Sequence, residues 1–77
     1  MAITREELIA WATRHGRKLD RWGHLKKELP GATHRIKLSR IAARHEISTP
    51  HGWVRLASGY LKQLHITADG KLGGMTR

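Results

Sequence analysis

The sequence predicts a small, mainly α domain of about four helices, closed by a short C-terminal β-hairpin. Three observations carry that expectation. Apolar residues recur at helical spacing in four stretches: residues 3–15, Asp20 to Pro30, Leu38 to His45, and 50–64. Start signals precede two of them, Thr4 followed by Glu7 and Ser48-Thr49 followed by Pro50. Near the end the period changes: Ile66-Thr67 and Lys71-Leu72 flank the turn residues Ala68-Asp69-Gly70. The 77 residues suffice for one domain. It divides into an N-terminal helical segment (1–16), a core (20–72) and a tail (73–77).

The first helix starts from a capping box, Thr4 and Glu7, with Glu6 and Glu7 favoured by the dipole at its N-terminus. Leu8, Trp11, Ala12 and His15 share a face, and Gly16 stops the helix. In the second, Asp20 is the cap, Leu19, Trp22, Leu25 and Leu29 form an apolar stripe, and Pro30-Gly31 terminates it. The stripe makes Trp22 a core anchor rather than a stacking platform. Ala32 to Lys37 lacks a helical period and is read as a loop or short extended segment with Ile36 and Leu38 inward. Leu38, Ile41, Ala42 and His45 mark the buried face of a third, short helix. Glu46-Ile47-Ser48-Thr49 forms a turn. In the fourth helix Trp53, Leu56, Ala57, Tyr60, Leu61 and Leu64 gather on one side. His51, Arg55, Ser58 and Lys62 gather on the other, a stripe without an acid.

The chain carries 15 Lys and Arg against 6 Asp and Glu, a formal net charge of +9. Such a field attracts polyanions, nucleic acid first and an anionic membrane surface second. Cysteine is absent, which excludes disulfides and thiolate metal sites and fits a reducing compartment. No apolar run approaches the ~18 residues that span a bilayer, and Met1 to Trp11 carries acids where a secretion signal would be basic and then apolar. A cytoplasmic protein is expected, nucleoid-associated if it binds DNA.

The order helix, short extended segment, helix, turn, helix, hairpin, with IAARHEISTPHGWVRL at its centre, resembles the winged helix-turn-helix superfamily of DNA-binding domains. The resemblance covers residues 20 to 72 and rests on Ile41-Ala42, the turn closed by Ile47-Ser48, and the helix after Thr49, with HITADGKL as the wing. Glu46 stands where that turn usually has Gly, and Gly52 where the helix usually has an apolar residue. The resemblance implies a sequence-specific binder of double-stranded DNA, a small transcriptional regulator with residues 50–64 as its recognition helix. Base contacts fall to Thr49, His51, Arg55 and Ser58, with Arg55 able to make two hydrogen bonds to guanine. Lys37, Arg40, Arg44, Lys62 and Lys71 would hold phosphates. Residues 3–15 would serve a homodimer or cover the core of a monomer.

Other classes weigh less. Six histidines are present, but none are spaced i, i+4 on one helix, and only His45 and His51, flanking the turn, could meet; no metal or cofactor is expected. No glycine-rich phosphate loop, acid pair or nucleophile–base arrangement suggests an enzyme. A basic protein-binding module, such as a phage-type inhibitor of a host complex, is the main alternative. RNA binding is another, but with one Tyr, three Trp and no Phe the chain offers few exposed stacking platforms for single strands.

Overall fold

The computed structural model describes residues 3–77; Met1 and Ala2, at the head of the expected N-terminal segment, lie outside the described residues. It contains one α-helix, α1 (Arg5–Arg14), followed by strands β1 (Lys18–Leu19), β2 (His24–Leu29), β3 (Ala32–Leu38), β4 (Ala42–Thr49) and β5 (Gly52–Tyr60). A 3-10 turn (Leu61–Gln63) leads to β6 (His65–Ile66) and β7 (Leu72–Gly73). Strands β1 to β5 form one antiparallel sheet in chain order, and β6 pairs with β7. The mainly α expectation is therefore overturned. The segments expected as the second, third and fourth helices are strands and turns, so among the described residues there is no helix-turn-helix pair and no recognition helix over 50–64.

The turns explain the outcome. Asp20 Oδ1 accepts from the backbone N–H of Trp22 and of His24 at 2.9 and 2.8 Å, and Gly23 closes that turn at φ 83°. Pro30-Gly31 joins β2 to β3 with Gly31 at φ 85°. Ser39 closes on Ala42 between β3 and β4. Thr49-Pro50-His51-Gly52 joins β4 to β5, with the Thr49 hydroxyl donating to the Gly52 carbonyl at 2.7 Å and Gly52 at φ 113°. Glycine supplies these left-handed conformations, and proline presets φ at the residue before Gly31 and two before Gly52. The Pro50 expected at a helix start is a hairpin residue instead. A helix over 50–64 would also have held Gly52 and Gly59, each costing roughly 1 kcal/mol.

Three expectations hold. Helix α1 has its capping box: the Glu7 N–H donates to the Thr4 hydroxyl at 3.1 Å, and the Thr4 N–H donates to Glu7 at 3.2 Å. Ala32–Leu38 is extended, with Ile36 and Leu38 buried. The predicted C-terminal hairpin is present as β6–β7.

The core lies on one side of the sheet. Leu8 and Ala12 of α1 pack over Leu25, Ile36, Leu38 and Ala43, with Ile3 and Leu64 closing one end. The helix face considered for a dimer contact is thus occupied by the chain's own sheet. Near β5, Gly59 lies so close to Gly74 that a Cβ would collide with the Gly74 carbonyl, and the backbones of Ser58 and Thr76 exchange two hydrogen bonds of 2.8 Å. No helix among the described residues is long and apolar enough to cross a membrane.

Candidate nucleic-acid interface

Strand partners lying directly opposite share a face, so the register defines what the side away from α1 presents. One row across β2 to β5 is Lys26, Arg35, Glu46 and Arg55; the next is His24, Lys37, Arg44 and Ser58. Ser48 and Trp53 form a pair at one end, Ala42 and Tyr60 at the other. A β-bulge makes this possible. Between the pairs His45–Ala57 and Glu46–Arg55 the register shifts, leaving Leu56 as an extra residue in β5. Arg55 and Ser58 would point to opposite sides of a regular strand; here they share the outer face.

The centre of this face is a buried ion pair. Glu46 is only 6% exposed. Arg35 Nε donates to its Oε1 at 2.8 Å, and an Arg44 nitrogen lies 3.8 Å from its Oε2. The Arg35 guanidinium also lies 3.9 Å from the centre of the Trp53 ring. Carboxylate, guanidinium and indole therefore form one contiguous stack, satisfying the charge that burial would otherwise make costly. Around it stand Lys26, Lys37, Arg44 and Arg55. Lys26 is 3.5 Å from Asp20, whereas Lys37 and Arg55 form no ion pair among the described residues.

The same face has aromatic rings in reach of solvent. Tyr60 is 53% exposed and Trp53 37%. Trp22, in the β1–β2 turn at the margin, is 63% exposed, with the Arg21 guanidinium 4.3 Å and Lys26 Nζ 5.7 Å from its ring. Its expected role as a core anchor is overturned, and Trp53 and Tyr60 leave the apolar face on which a helix would have placed them. Between Tyr60, Lys37, Arg44, Ser58, Gln63 and Thr76 lies a hollow of about 360 Å³. It combines cations, neutral hydrogen-bonding groups and one exposed ring.

His24 sits in the basic row. Burial holds it below the ordinary imidazole range; Asp20 counteracts this, while Arg35, Lys37 and Lys26 add to it. Burial raises the Asp20 carboxyl, but the N–H groups of His24 and Trp22 and the nearby His24 and Lys26 bring it below its usual range. Those two residues thus fix the β1–β2 turn beside the basic face.

The sequence-predicted residues are only partly assembled here. Lys37, Arg44 and Ser58 meet in the hollow, and Arg55 lies in the adjoining row. Lys62, in the 3-10 turn, approaches the Tyr60 ring at 5.8 Å. Thr49 is taken up by hydrogen bonds of the β4–β5 turn, where His51 also lies, and Arg40 is in the turn between β3 and β4. Lys71 lies in the β6–β7 hairpin, 3.8 Å from Asp69, and lines a different hollow on the inner side. Lys26, Arg35, Trp22, Trp53, Tyr60, Gln63 and Thr76 were not expected in the site. The signal for the first two was the strict alternation of His24-Leu25-Lys26 and Arg35-Ile36-Lys37-Leu38, which is strand period.

His45 and His51 do not meet. His45 faces His34 instead, their ring nitrogens 3.0 Å apart on the inner side. No cluster of three or more metal-ligating side chains occurs among the described residues. No protein-family model matches the chain, and neither a curated protein nor a solved structure is similar to it.

Proposed function

We propose that the outer face of the five-stranded sheet binds nucleic acid and that single strands are its preferred form. The observation that carries this reading is the placement of the exposed rings of Tyr60, Trp53 and Trp22 in and beside a face whose free charges are cationic except for Glu28 at one end. Cations hold the phosphates without reading sequence, and rings accept unstacked bases. Lys37 and Arg44 grip phosphate beside the hollow, a base lies on Tyr60, and Gln63 and Ser58 reach its polar edge. The Glu46–Arg35–Trp53 stack, anchored by the buried carboxylate, keeps this platform rigid, which lowers the ordering cost of binding.

Duplex DNA is the second reading, favoured by the co-facial Arg44 and Arg55, since a β-ribbon fits the major groove. Fluorescence anisotropy with a labelled oligothymidylate, an oligouridylate and a duplex of equal length separates the two. Single strands are expected to bind at least about tenfold tighter than duplex, and Tyr60→Ala to cost about 1–3 kcal/mol on single strands. Tighter binding of the duplex would refute the single-strand preference. No binding of any of the three at low salt would refute nucleic-acid recognition by this face.

A further inference from the structure

The opposite side of the sheet holds a second concavity, bounded by the end of α1, the inner face of β3 to β5 and the β6–β7 hairpin. It measures about 530 Å³, the size of a small-molecule site. Trp11, Ile36, Ala57, Leu72 and Met75 supply apolar walls. The Trp11 indole N–H donates to the Gly70 carbonyl at 2.8 Å, tying the hairpin across the helix and framing the opening.

One group in it is not accounted for by the fold. Arg17 follows the Gly16 stop of α1 and lines this hollow, half-buried. A guanidinium carries five N–H donors, yet its side chain makes one hydrogen bond, to the Leu25 carbonyl at 3.3 Å, and no ion pair among the described residues. Asp69, the acid of the hollow, is exposed, hydrogen-bonds the Thr67 hydroxyl and lies 3.8 Å from Lys71. Beside Arg17 stands His45, half-buried, sharing a hydrogen bond with His34. A charged donor withdrawn from water without a counter-charge is costly, and an incoming anion removes that cost.

We propose that this hollow binds a small carboxylate with an apolar body, the carboxylate on Arg17 and His45 and the body against Trp11, Ile36 and Leu72. Inorganic phosphate matches the cations but not the walls, and a neutral apolar molecule matches the walls but leaves Arg17 unpaired. Burial, Arg17 and His34 now hold His45 below the ordinary imidazole range. His15, Asp69 and Lys71 are the other ionisable groups on the hollow; a bound carboxylate offsets the positive charge of Arg17 beside His45, so binding favours the protonated imidazole and takes up a proton. The site lies across the sheet from the nucleic-acid face, and its occupancy is independent of that reading.

The test is calorimetry with benzoate and indole-3-acetate, with benzamide and inorganic phosphate as comparators. The carboxylates are expected to bind at least about tenfold tighter than benzamide, and Arg17→Gln to lose about tenfold or more. Affinity is expected to rise from pH 7.5 to 6, and the His45 imidazole resonances to titrate at higher pH when benzoate is bound. Ala57→Leu, which fills the hollow and leaves Arg17 in place, is expected to block binding if Arg17→Gln does not fold. Benzamide binding as tightly as benzoate would overturn the proposal, as would phosphate competing equally with it. So would undiminished affinity in both folded variants, or no carboxylate binding up to about 10 mM.

Discussion

The salt dependence of nucleic-acid binding tests the outer face most directly. Lys26, Lys37, Arg44 and Arg55 point outward around the buried Glu46. If each neutralises one phosphate, log affinity for a single strand falls with log salt at a slope of about −2.8, roughly a fifty-fold loss from about 50 to 200 mM. Lys26 is shared with Asp20 at 3.5 Å and Arg44 with Glu46 at 3.8 Å, so Lys37 and Arg55 are the cations to remove. With Lys37→Gln and Arg55→Gln combined, the slope is expected to drop to about −1.4, and the same salt step to cost only about sevenfold. Anisotropy with a labelled oligothymidylate over that range measures both slopes, and circular dichroism checks that the sheet is intact. Arg14→Gln, an exposed cation in the last turn of α1, is expected to leave the slope unchanged. An unaltered slope in the double variant, or an equal reduction from Arg14→Gln, would refute the assignment of these charges to the contact.

Three further outcomes follow from the fold. Gly59→Ala drives a Cβ into the Gly74 carbonyl and is expected to destabilise the protein by about 1–3 kcal/mol, read from the urea midpoint; an unchanged midpoint would show that the tail does not lie against β5. Glu46→Gln leaves Arg35 buried without its counter-charge, at a cost of about 3 kcal/mol, whereas Glu28→Gln at an exposed strand position is expected to be neutral; equal effects would contradict the buried pair. His45 and His24 are held below the ordinary imidazole value, so the unfolded chain binds protons that the folded one refuses. Their contribution is therefore complete above about pH 6.5 and lost as pH falls towards their folded values. Urea midpoints at pH 7.5, 6.5 and 5.5 are expected to decline, and less steeply in His45→Gln; a rise on acidification would reverse the sign of the argument.

Helix α1 was legible because its signals are local: a capping box, acids in the first turn and a glycine stop lie within a dozen residues. The β6–β7 hairpin was legible for the same reason. The sheet was not, although its punctuation was present. Asp20 to Gly23, Pro30-Gly31, Ser39 to Ala42 and Thr49 to Gly52 recur at about ten-residue intervals, the spacing of a meander. Three of them read as helix caps or stops and Ser39 to Ala42 as the interior of a helix, because residues such as Leu19, Trp22, Leu25 and Leu29 also satisfy a helical period. Trp22 decided that reading wrongly: it is an exposed turn residue, and the true inward residue of β2 is Leu25 alone of the four. In the site, Arg44, Lys37, Arg55 and Ser58 were chosen for their chemistry, and the sheet gathers them by a different geometry. Trp53 and Tyr60 were missed because large rings at helical spacing read as core, and it is strand alternation together with the bulge at Leu56 that turns both outward.

The displaced residue Leu56 also bears on how this sheet ends. Strand β5 is an outer strand of the sheet, and β1 at the other margin is only two residues long. A long, regular margin would offer its free backbone groups to any passing strand, the first step towards aggregation. Here the irregularity interrupts β5 midway, Ser58 is already paired with Thr76, and Arg55 adds a charge just beyond the break. A second chain would find no uninterrupted ladder to extend. The distortion that aligns Arg55 with Ser58 therefore also protects a short, strand-rich chain from joining its own copies edge to edge.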